Sequence, residues 1–283
     1  MGGMVRLVWL RWCLLVLLLC GCSMRKVGYH FADRYLSGRL ADTFALEEME
    51  KTQTHRIVRN LHVWHRKKEL PRYAGLLDGL GARLSDGMTQ EDFSWLRVEG
   101  NQAVARLGAQ FAPLAATFLL QRRPDQLEHA TRKMSEAEAE RFEKLDAPEK
   151  EYFAYRKART KKLLKTWLGS YTDEQLQLFC AFHEQDRHME FARRKAQQEN
   201  RQKLLWAVQQ KQPPQAIETL ILHWLTQRQT HPTPDYQQTE RQQEEKYVQL
   251  LLLVDRTLSA KQRHHLMTEL AAWKRDFIEL AAE

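Results

Sequence analysis

The segment that decides the fold class is LSAKQRHHLMTELAAWKRDFIEL, residues 258–280. Its large apolar residues recur every three to four positions: Leu266, Leu270, Trp273, Phe277 and Leu280. Side chains at that spacing lie along one face of an α-helix. Ser259 stands just before this stripe and Gln262 three positions later, which is the usual beginning of a helix. The segment therefore predicts an amphipathic helix with a defined start.

Other segments have the same helical spacing. The clearest are Tyr73, Leu76, Leu77, Leu80 and Leu84; Ile217, Leu220, Ile221, Trp224 and Leu225; and Tyr247, Leu250, Leu251, Val254 and Leu258. Leu far outnumbers the β-branched Val and Ile, and no short window alternates cleanly between apolar and polar residues as a strand does. The sequence predicts an all-α fold, an elongated multi-helix bundle of roughly eight to ten helices without a sheet.

Proline and glycine indicate where these helices bend or end. Pro71 is expected to kink a helix over about residues 46–84, and Gly87 to follow its end. Pro113 is expected to bend a second long helix that begins at Gln90. Further boundaries are predicted at Pro124, Pro148, Gly169, Pro213, Pro214 and the loop His231–Pro234.

The N-terminus has the features of an export signal. Two arginines precede an apolar run over residues 12–21, which is too short to cross a bilayer. The run ends in LCGC at residues 19–22, which resembles a bacterial lipobox. The resemblance implies that residues 1–21 are removed by cleavage after Gly21 and that the Cys22 sulfur carries lipid.

That cleavage divides the chain into parts with different roles. Residues 22–44 are expected to form a lipidated tether with one short helix, and residues 45–283 an all-helical domain, either as one body or as sub-bundles 45–170 and 171–283. Ser23 stands where an Asp would resemble an inner-membrane retention signal. We therefore expect a lipid-anchored protein on the periplasmic side of the outer membrane.

A hydroxyl residue followed three positions later by an acid or amide recurs along the chain. The pairs are Thr89 and Asp92, Thr172 and Gln175, and Ser259 and Gln262. Each pair can form a capping box, in which the hydroxyl accepts from one backbone N–H and the second side chain accepts from the N–H of the cap residue. Helix stability explains these residues, and a direct binding role is the alternative.

The same three segments resemble the Leu-Thr-x-x-Gln motif of Spy-type periplasmic chaperones. The chain is more closely similar to a family of uncharacterised proteobacterial lipoproteins, known only as a domain of unknown function. The matching features are the lipobox, Trp-His-Arg at residues 64–66, Glu-Leu-Pro-Arg-Tyr at 69–73 and the repeated helix starts. Two further starts depart from the pattern, because Ala45 and Arg123 stand in place of the hydroxyl. The resemblance implies a helical envelope protein and supplies no catalytic residues.

Residue sets typical of catalysis or of metal binding are not evident. The sequence has no Gly-x-Ser-x-Gly elbow and no glycine-rich phosphate loop. His55, His62 and His65 share a predicted helix but lie beside a run of basic residues that would repel a cation. His183-Glu184 begins like a zinc-protease helix, but the next histidine comes one residue too late. We predict that the protein is not an enzyme and holds no metal or cofactor.

The positive charge is the remaining indication of function. The chain has a formal net charge of +8, and six basic residues lie within residues 156–165. Lys157, Lys161 and Lys165 share one helix face and are candidates for binding anions, although an ordinary solvated face is the alternative. Nucleic acid is the usual partner of so basic a chain, but the export signal argues against it. Anionic envelope polymers and envelope protein clients are the expected partners, besides the membrane reached through the lipid.

Two functional hypotheses follow from these patterns. The first is non-catalytic binding of envelope proteins or polymers, in the manner of a chaperone. The second is a structural spacer or assembly partner in the cell envelope. The sequence carries no signal for an oligomeric state.

Overall fold

The structure, a computed structural model, describes residues 24–226 and 234–283, except the side chains of residues 24, 144, 185, 186 and 234–237. These ranges form eleven α-helices: α1 Met24–His30, α2 Ala32–Thr43, α3 Glu48–Trp64, α4 Leu70–Leu84, α5 Gln90–Leu120, α6 Pro124–Asp146, α7 Glu149–Leu168, α8 Asp173–Gln209, α9 Pro214–Thr226, α10 Pro234–Arg256 and α11 Ala260–Ala282. The same ranges contain no strand, and the all-α prediction is confirmed, with one helix more than the expected range. The predicted lipobox residues Gly21 and Cys22, and residues 231–233 of the predicted loop, lie outside the described residues.

Helix α8 connects two separate apolar cores. It has 37 residues, which gives a length of about 55 Å. Near its C-terminus it joins α5, α6 and α9 around a first core with Ala112, Ala116, Leu127, Val208, Ile217 and Ile221. Near its N-terminus it joins α7 and α10 around a second core with Leu164, Leu168, Leu176, Phe179, Leu250 and Val254. A division at residue 170 would therefore cut through both cores.

The helix pair α3 and α4 is joined by a π-helical turn, His65–Glu69. Pro71 lies in the first turn of α4, directly after the π-helical turn. The bend expected at Pro71 thus takes the form of this wider turn. Its last residue, Glu69, is completely buried, and its carboxylate accepts from Arg106 Nε at 3.1 Å and from Arg72 Nη1 at 2.8 Å.

The residues that follow the predicted lipidation site form two helices, where the sequence predicted a tether with one. Helix α1 packs against α11, and Arg25 Nε donates to the buried Asp276 carboxylate at 2.7 Å. The Tyr29 hydroxyl lies 2.8 Å from His65 Nδ1, which ties α1 to the π-helical turn. The described N-terminus is therefore part of the helical body.

Helix α5 is the one described helix that is long and apolar enough to cross a membrane, judged by length and composition. In the structure it packs against α9 and contributes Ala112 and Ala116 to the first core. Pro113 lies inside this helix, as predicted. This packing buries 28 % of its most apolar 18-residue window.

Candidate functional site

All three predicted helix starts form complete capping boxes. In the first, Thr89 Oγ1 accepts from the Asp92 N–H at 3.3 Å, and Asp92 Oδ2 accepts from the Thr89 N–H at 2.9 Å. The boxes at the starts of α8 and α11 have the same two hydrogen bonds, with distances of 2.9–3.2 Å. These hydroxyls satisfy backbone N–H groups that the first helical turn leaves unpaired.

The glutamine side chains of two of these boxes bind each other. Gln175 and Gln262 are both buried. Gln175 Nε2 donates to Gln262 Oε1 at 3.2 Å, and Gln262 Nε2 donates to Gln175 Oε1 at 2.8 Å. Their remaining donors reach Thr257 Oγ1 at 3.1 Å and the Ser170 carbonyl oxygen at 3.0 Å. The pair is satisfied internally and joins the starts of α8 and α11 near the second core.

The two helix starts that lack the hydroxyl residue also contact each other, near the first core. Helix α3 is capped at Glu47 and not at Ala45, whose φ of 47° is left-handed. Glu50 Oε2 accepts from the Glu47 N–H at 2.9 Å, and Gln126 Oε1 accepts from the Arg123 N–H at 3.0 Å. Gln126 Nε2 then donates to Glu50 Oε2 at 2.6 Å. The contact between the two helix starts is made by the third residue of each helix. It therefore forms even where the cap residue has no hydroxyl.

A groove of about 920 Å³ lies between α7, α8 and α10. Its charged side chains are Arg156, Arg159, Lys162, Arg193, Glu240 and Glu244. Four cations thus face two carboxylates. Trp167, Phe179 and Tyr247 add aromatic surface to the wall. We call this recess the cationic groove.

The three lysines predicted as an anion-binding face do not line the cationic groove. Lys157, Lys161 and Lys165 are exposed. At 100° per residue they lie on one flank of α7, and Arg159 and Lys162 lie on the other. The packing of α8 and α10 places the second flank, and not the first, in the wall of the cationic groove.

A neutral histidine holds Arg156 in the groove wall. Arg156 Nη2 donates to His183 Nδ1 at 3.0 Å, and since a guanidinium can only donate, this nitrogen carries no proton. The other ring nitrogen therefore bears the proton, and it lies 3.1 Å from Thr160 Oγ1. Burial, assisted by the Arg156 charge, lowers the pKa of His183 to about 4. Arg156 Nη1 also pairs with Glu190 at 3.2 Å, so its orientation is fixed from two sides.

Several buried polar atoms of the groove have no hydrogen-bond partner. Five buried side-chain atoms in the described residues lack one, and three of these belong to the cationic groove: Arg156 Nε, Glu240 Oε2 and Gln243 Oε1. Glu240 Oε1 is 3.7 Å from Arg193 Nε, while burial raises the pKa of the Glu240 carboxyl. Leaving a buried donor or acceptor unpaired costs about 1–3 kcal/mol. A ligand that pairs with these atoms would recover that cost.

The histidines considered as metal ligands have structural partners. His55 Nδ1 lies 3.1 Å from Ser37 Oγ, and His62 packs on the Tyr29 ring at 4.4 Å. Both contacts hold the N-terminal helices against α3. Within the described ranges, no group of three or more His, Cys, Asp or Glu side chains is placed to hold a metal ion.

The contribution of α10 to the groove was missed by the sequence reasoning. The apolar stripe that starts at Tyr247 continues towards the N-terminus of α10 as Glu240, Gln243 and Glu244 at the same helical spacing. Polar residues that continue a core-facing stripe are a signal of a buried polar site. Glu240 and Gln243 are indeed buried.

Comparison with known proteins identifies the family. A family model described as a family of unknown function, DUF6279, matches residues 42–237. The chain belongs to this family. The DUF6279 match includes α7 and α8, whose side chains supply the cations of the groove, and it ends within α10 before Glu240. No curated protein and no solved structure matches the chain.

Proposed function

We propose that this DUF6279 protein is a non-catalytic binding protein of the cell envelope. Its cationic groove holds an anionic molecule that also carries hydroxyl or amine donors. The observation that supports this function is the combination of four cations with unpaired buried polar atoms in one recess. The cations attract negative charge, and Glu240 Oε2 and Gln243 Oε1 require hydrogen-bond donors.

This chemistry favours an envelope phosphate or acidic sugar over an unfolded client protein. A phosphate group accepts hydrogen bonds from Arg and Lys, and neighbouring hydroxyls can donate to the two acceptors. A holder of unfolded chains needs a continuous apolar surface along its binding site, whereas this groove combines its aromatic wall with four cations. The likeness to Spy-type chaperones rests on the helix starts, and in this chain those residues are used as caps.

The location that fits this function is the periplasmic face of the outer membrane, with Cys22 carrying lipid. Cys22 precedes Met24 by two residues, so at most about 7 Å of chain separates the lipid from α1. Val27, Phe31 and Tyr35 are exposed and stack along one helical line, with successive N–H to carbonyl hydrogen bonds. Apolar and aromatic side chains next to a lipid anchor suit the membrane interface.

A structural spacer is the second candidate function. The docking of α1 on α11 through Arg25 and Asp276 favours it, because this contact would transmit the position of the membrane to the whole body. A spacer needs no ligand, so a binding measurement separates the two functions.

The test of the groove is titration of glycerol phosphate into the mature chain, residues 22–283, with Cys22→Ser to exclude lipid. Both cores and all described helices lie within this chain. We expect saturable binding that weakens at least about tenfold in Arg159→Gln/Lys162→Gln, since each charge-assisted hydrogen bond contributes roughly 1.5–3 kcal/mol.

The matched control is Lys157→Gln/Lys161→Gln, which removes the same charge from the other flank of α7. It should bind nearly as tightly as the parent chain. No binding by the parent, or equal losses in both variants, would contradict the proposed groove function and favour the spacer.

The lipid anchor is tested separately in growing cells. Labelled palmitate should be incorporated into the parent protein and not into Cys22→Ser. The variant should also leave the outer-membrane fraction. Equal labelling of both proteins would show that Cys22 is not the acceptor.

A further inference from the structure

We infer that the ligand of the cationic groove is an anionic amphiphile with a single acyl chain, whose chain occupies a second, apolar recess beside the groove. This inference rests on the proposed function, because it assigns the anionic group to the same cations. It adds the class of molecule and a second binding region.

The second recess has a volume of about 280 Å³ and lies among α4, α5, α7, α8, α10 and α11. Its lining is almost entirely apolar, with Leu80, Phe93, Leu96, Leu251 and Leu266 from four of these helices and Met88 from the segment before α5. The one charged lining residue is Asp255, whose carboxylate already accepts from Arg263 at 3.0 Å and from the Met88 N–H at 2.9 Å. We call this region the apolar recess, and it suits a hydrocarbon chain better than water.

The groove and the apolar recess share part of their walls. Leu163, Trp167 and Phe179 line both. Leu163 is about half exposed, at 48 %, whereas Phe179 is buried at 4 %. In the inferred complex, a molecule whose charged end lies among the groove cations would extend along Leu163 and Trp167 into the apolar recess.

The two regions differ in chemistry as the two ends of a lipid do. The groove offers cations for a phosphate and the acceptors Glu240 Oε2 and Gln243 Oε1 for headgroup hydroxyls. The smaller recess offers apolar side chains and no unpaired buried polar atom of its own among the described residues. Its volume of about 280 Å³, slightly under a third of the groove's, favours one acyl chain over two.

The test uses lysophosphatidylglycerol with hexanoyl, octanoyl and decanoyl chains, below micelle-forming concentrations. The protein is again the mature chain, residues 22–283, with Cys22→Ser, so that no covalent lipid competes. Each methylene that enters an apolar site should tighten Kd by roughly three- to fourfold. We therefore expect about a tenfold gain for each step of two carbons, and the weakest binding for glycerol phosphate.

The outcomes separate this inference from the proposed function. If glycerol phosphate binds and Kd does not change with acyl-chain length, the placement of an acyl chain in the apolar recess is wrong, but the proposal that the groove binds an anion stands. If neither probe binds, the proposed function fails as well. If octyl glucoside binds as tightly as the octanoyl phospholipid, the assigned anionic head is wrong.

A pair of variants tests where the acyl chain of the ligand binds. Leu163→Gln places a polar group at the shared wall and should weaken decanoyl binding by roughly five- to tenfold more than it weakens glycerol phosphate binding. Leu253→Gln is the control, because Leu253 is similarly exposed at 46 % but lines neither region. Equal effects of the two variants on the decanoyl probe would overturn the placement.

Discussion

His183 shows how one buried residue sets the shape of the groove wall. Its neutral ring accepts from Arg156, and a protonated ring would face that guanidinium with a like charge. The Arg156 side chain is only partly exposed, at 21 %, so the repulsion would be weakly screened by solvent. The orientation of Arg156 therefore depends on His183 staying deprotonated.

This dependence predicts a loss of stability in acid. The unfolded chain takes up a proton at His183 near its ordinary pKa of 6.5, whereas the folded chain resists protonation until about pH 4. The contribution of His183 is thus complete above pH 6.5 and declines as the pH falls towards 4, by up to about 3 kcal/mol. Urea unfolding at a series of pH values would measure it.

The matched variant is His183→Gln, which keeps an acceptor for Arg156 and cannot titrate. Its free energy of unfolding should change less between pH 6.5 and 4 than that of the parent. Parallel pH profiles for the two proteins would contradict the assigned role of this histidine.

Glu69 is a second residue whose contribution to stability depends on its buried position. Its carboxylate is fully buried and pairs with Arg106 and Arg72. Removing it by Glu69→Ala would leave Arg106, whose side chain is 30 % exposed, without this carboxylate, and we expect the free energy of unfolding to fall by about 1.5–3 kcal/mol. The control Glu48→Ala removes an exposed partner of Lys51 and should cost less than about 1 kcal/mol. A similar cost for both would contradict the structural importance of the buried pair.

At the scale of the helices, the paired glutamines are the main device that positions α8 against α11. Gln175→Leu or Gln262→Leu alone would leave the partner amide buried with lost hydrogen bonds, at a cost of about 1–3 kcal/mol beyond the lost cap. The double variant removes both amides together. Its cost should therefore be smaller than the sum of the single costs by about 0.5–3 kcal/mol. Urea unfolding of the four proteins measures this coupling, and additive costs would contradict the pairing.

The sequence predicts the helices well because their signals are local. The stripe from Leu266 to Leu280 and the capping box of Ser259 span only a few turns each, and α11 forms over those residues. The contact between Gln175 and Gln262 spans 87 residues, and no local pattern encodes it. For the same reason Pro71 indicated a bend but not the burial of Glu69.

At the scale of the whole molecule, the site depends on packing that spacing alone does not reveal. The sequence indicated a cationic α7, yet only the placement of α8 and α10 shows that Arg159 and Lys162 border a recess while Lys157 does not. The role of Glu240 depends in the same way on the direction in which the polar part of α10 faces. The helical spacing made Lys157, Lys161 and Lys165 candidates for binding anions, with a solvated face as the alternative, whereas the cationic groove that we propose as the binding site has a different set of cations.

The long α8 connects the proposed binding site to the rest of the helical body. Its N-terminal half borders the cationic groove, and its C-terminal half forms the first core with α5 and α9. Helix α1, next to the proposed lipid, docks on α11. Groove and anchor thus belong to one helical framework, so a ligand would be held at a fixed place relative to the membrane.

The most direct test of the binding function is mass spectrometry of small molecules that remain bound to the protein when it is purified from cell envelopes. The account predicts that the lipidated parent protein retains an anionic molecule bearing an acyl chain. The variant Arg159→Gln/Lys162→Gln should lose it, and Lys157→Gln/Lys161→Gln should keep it. A parent protein without any bound anion, or equal retention by all three proteins, would contradict the account.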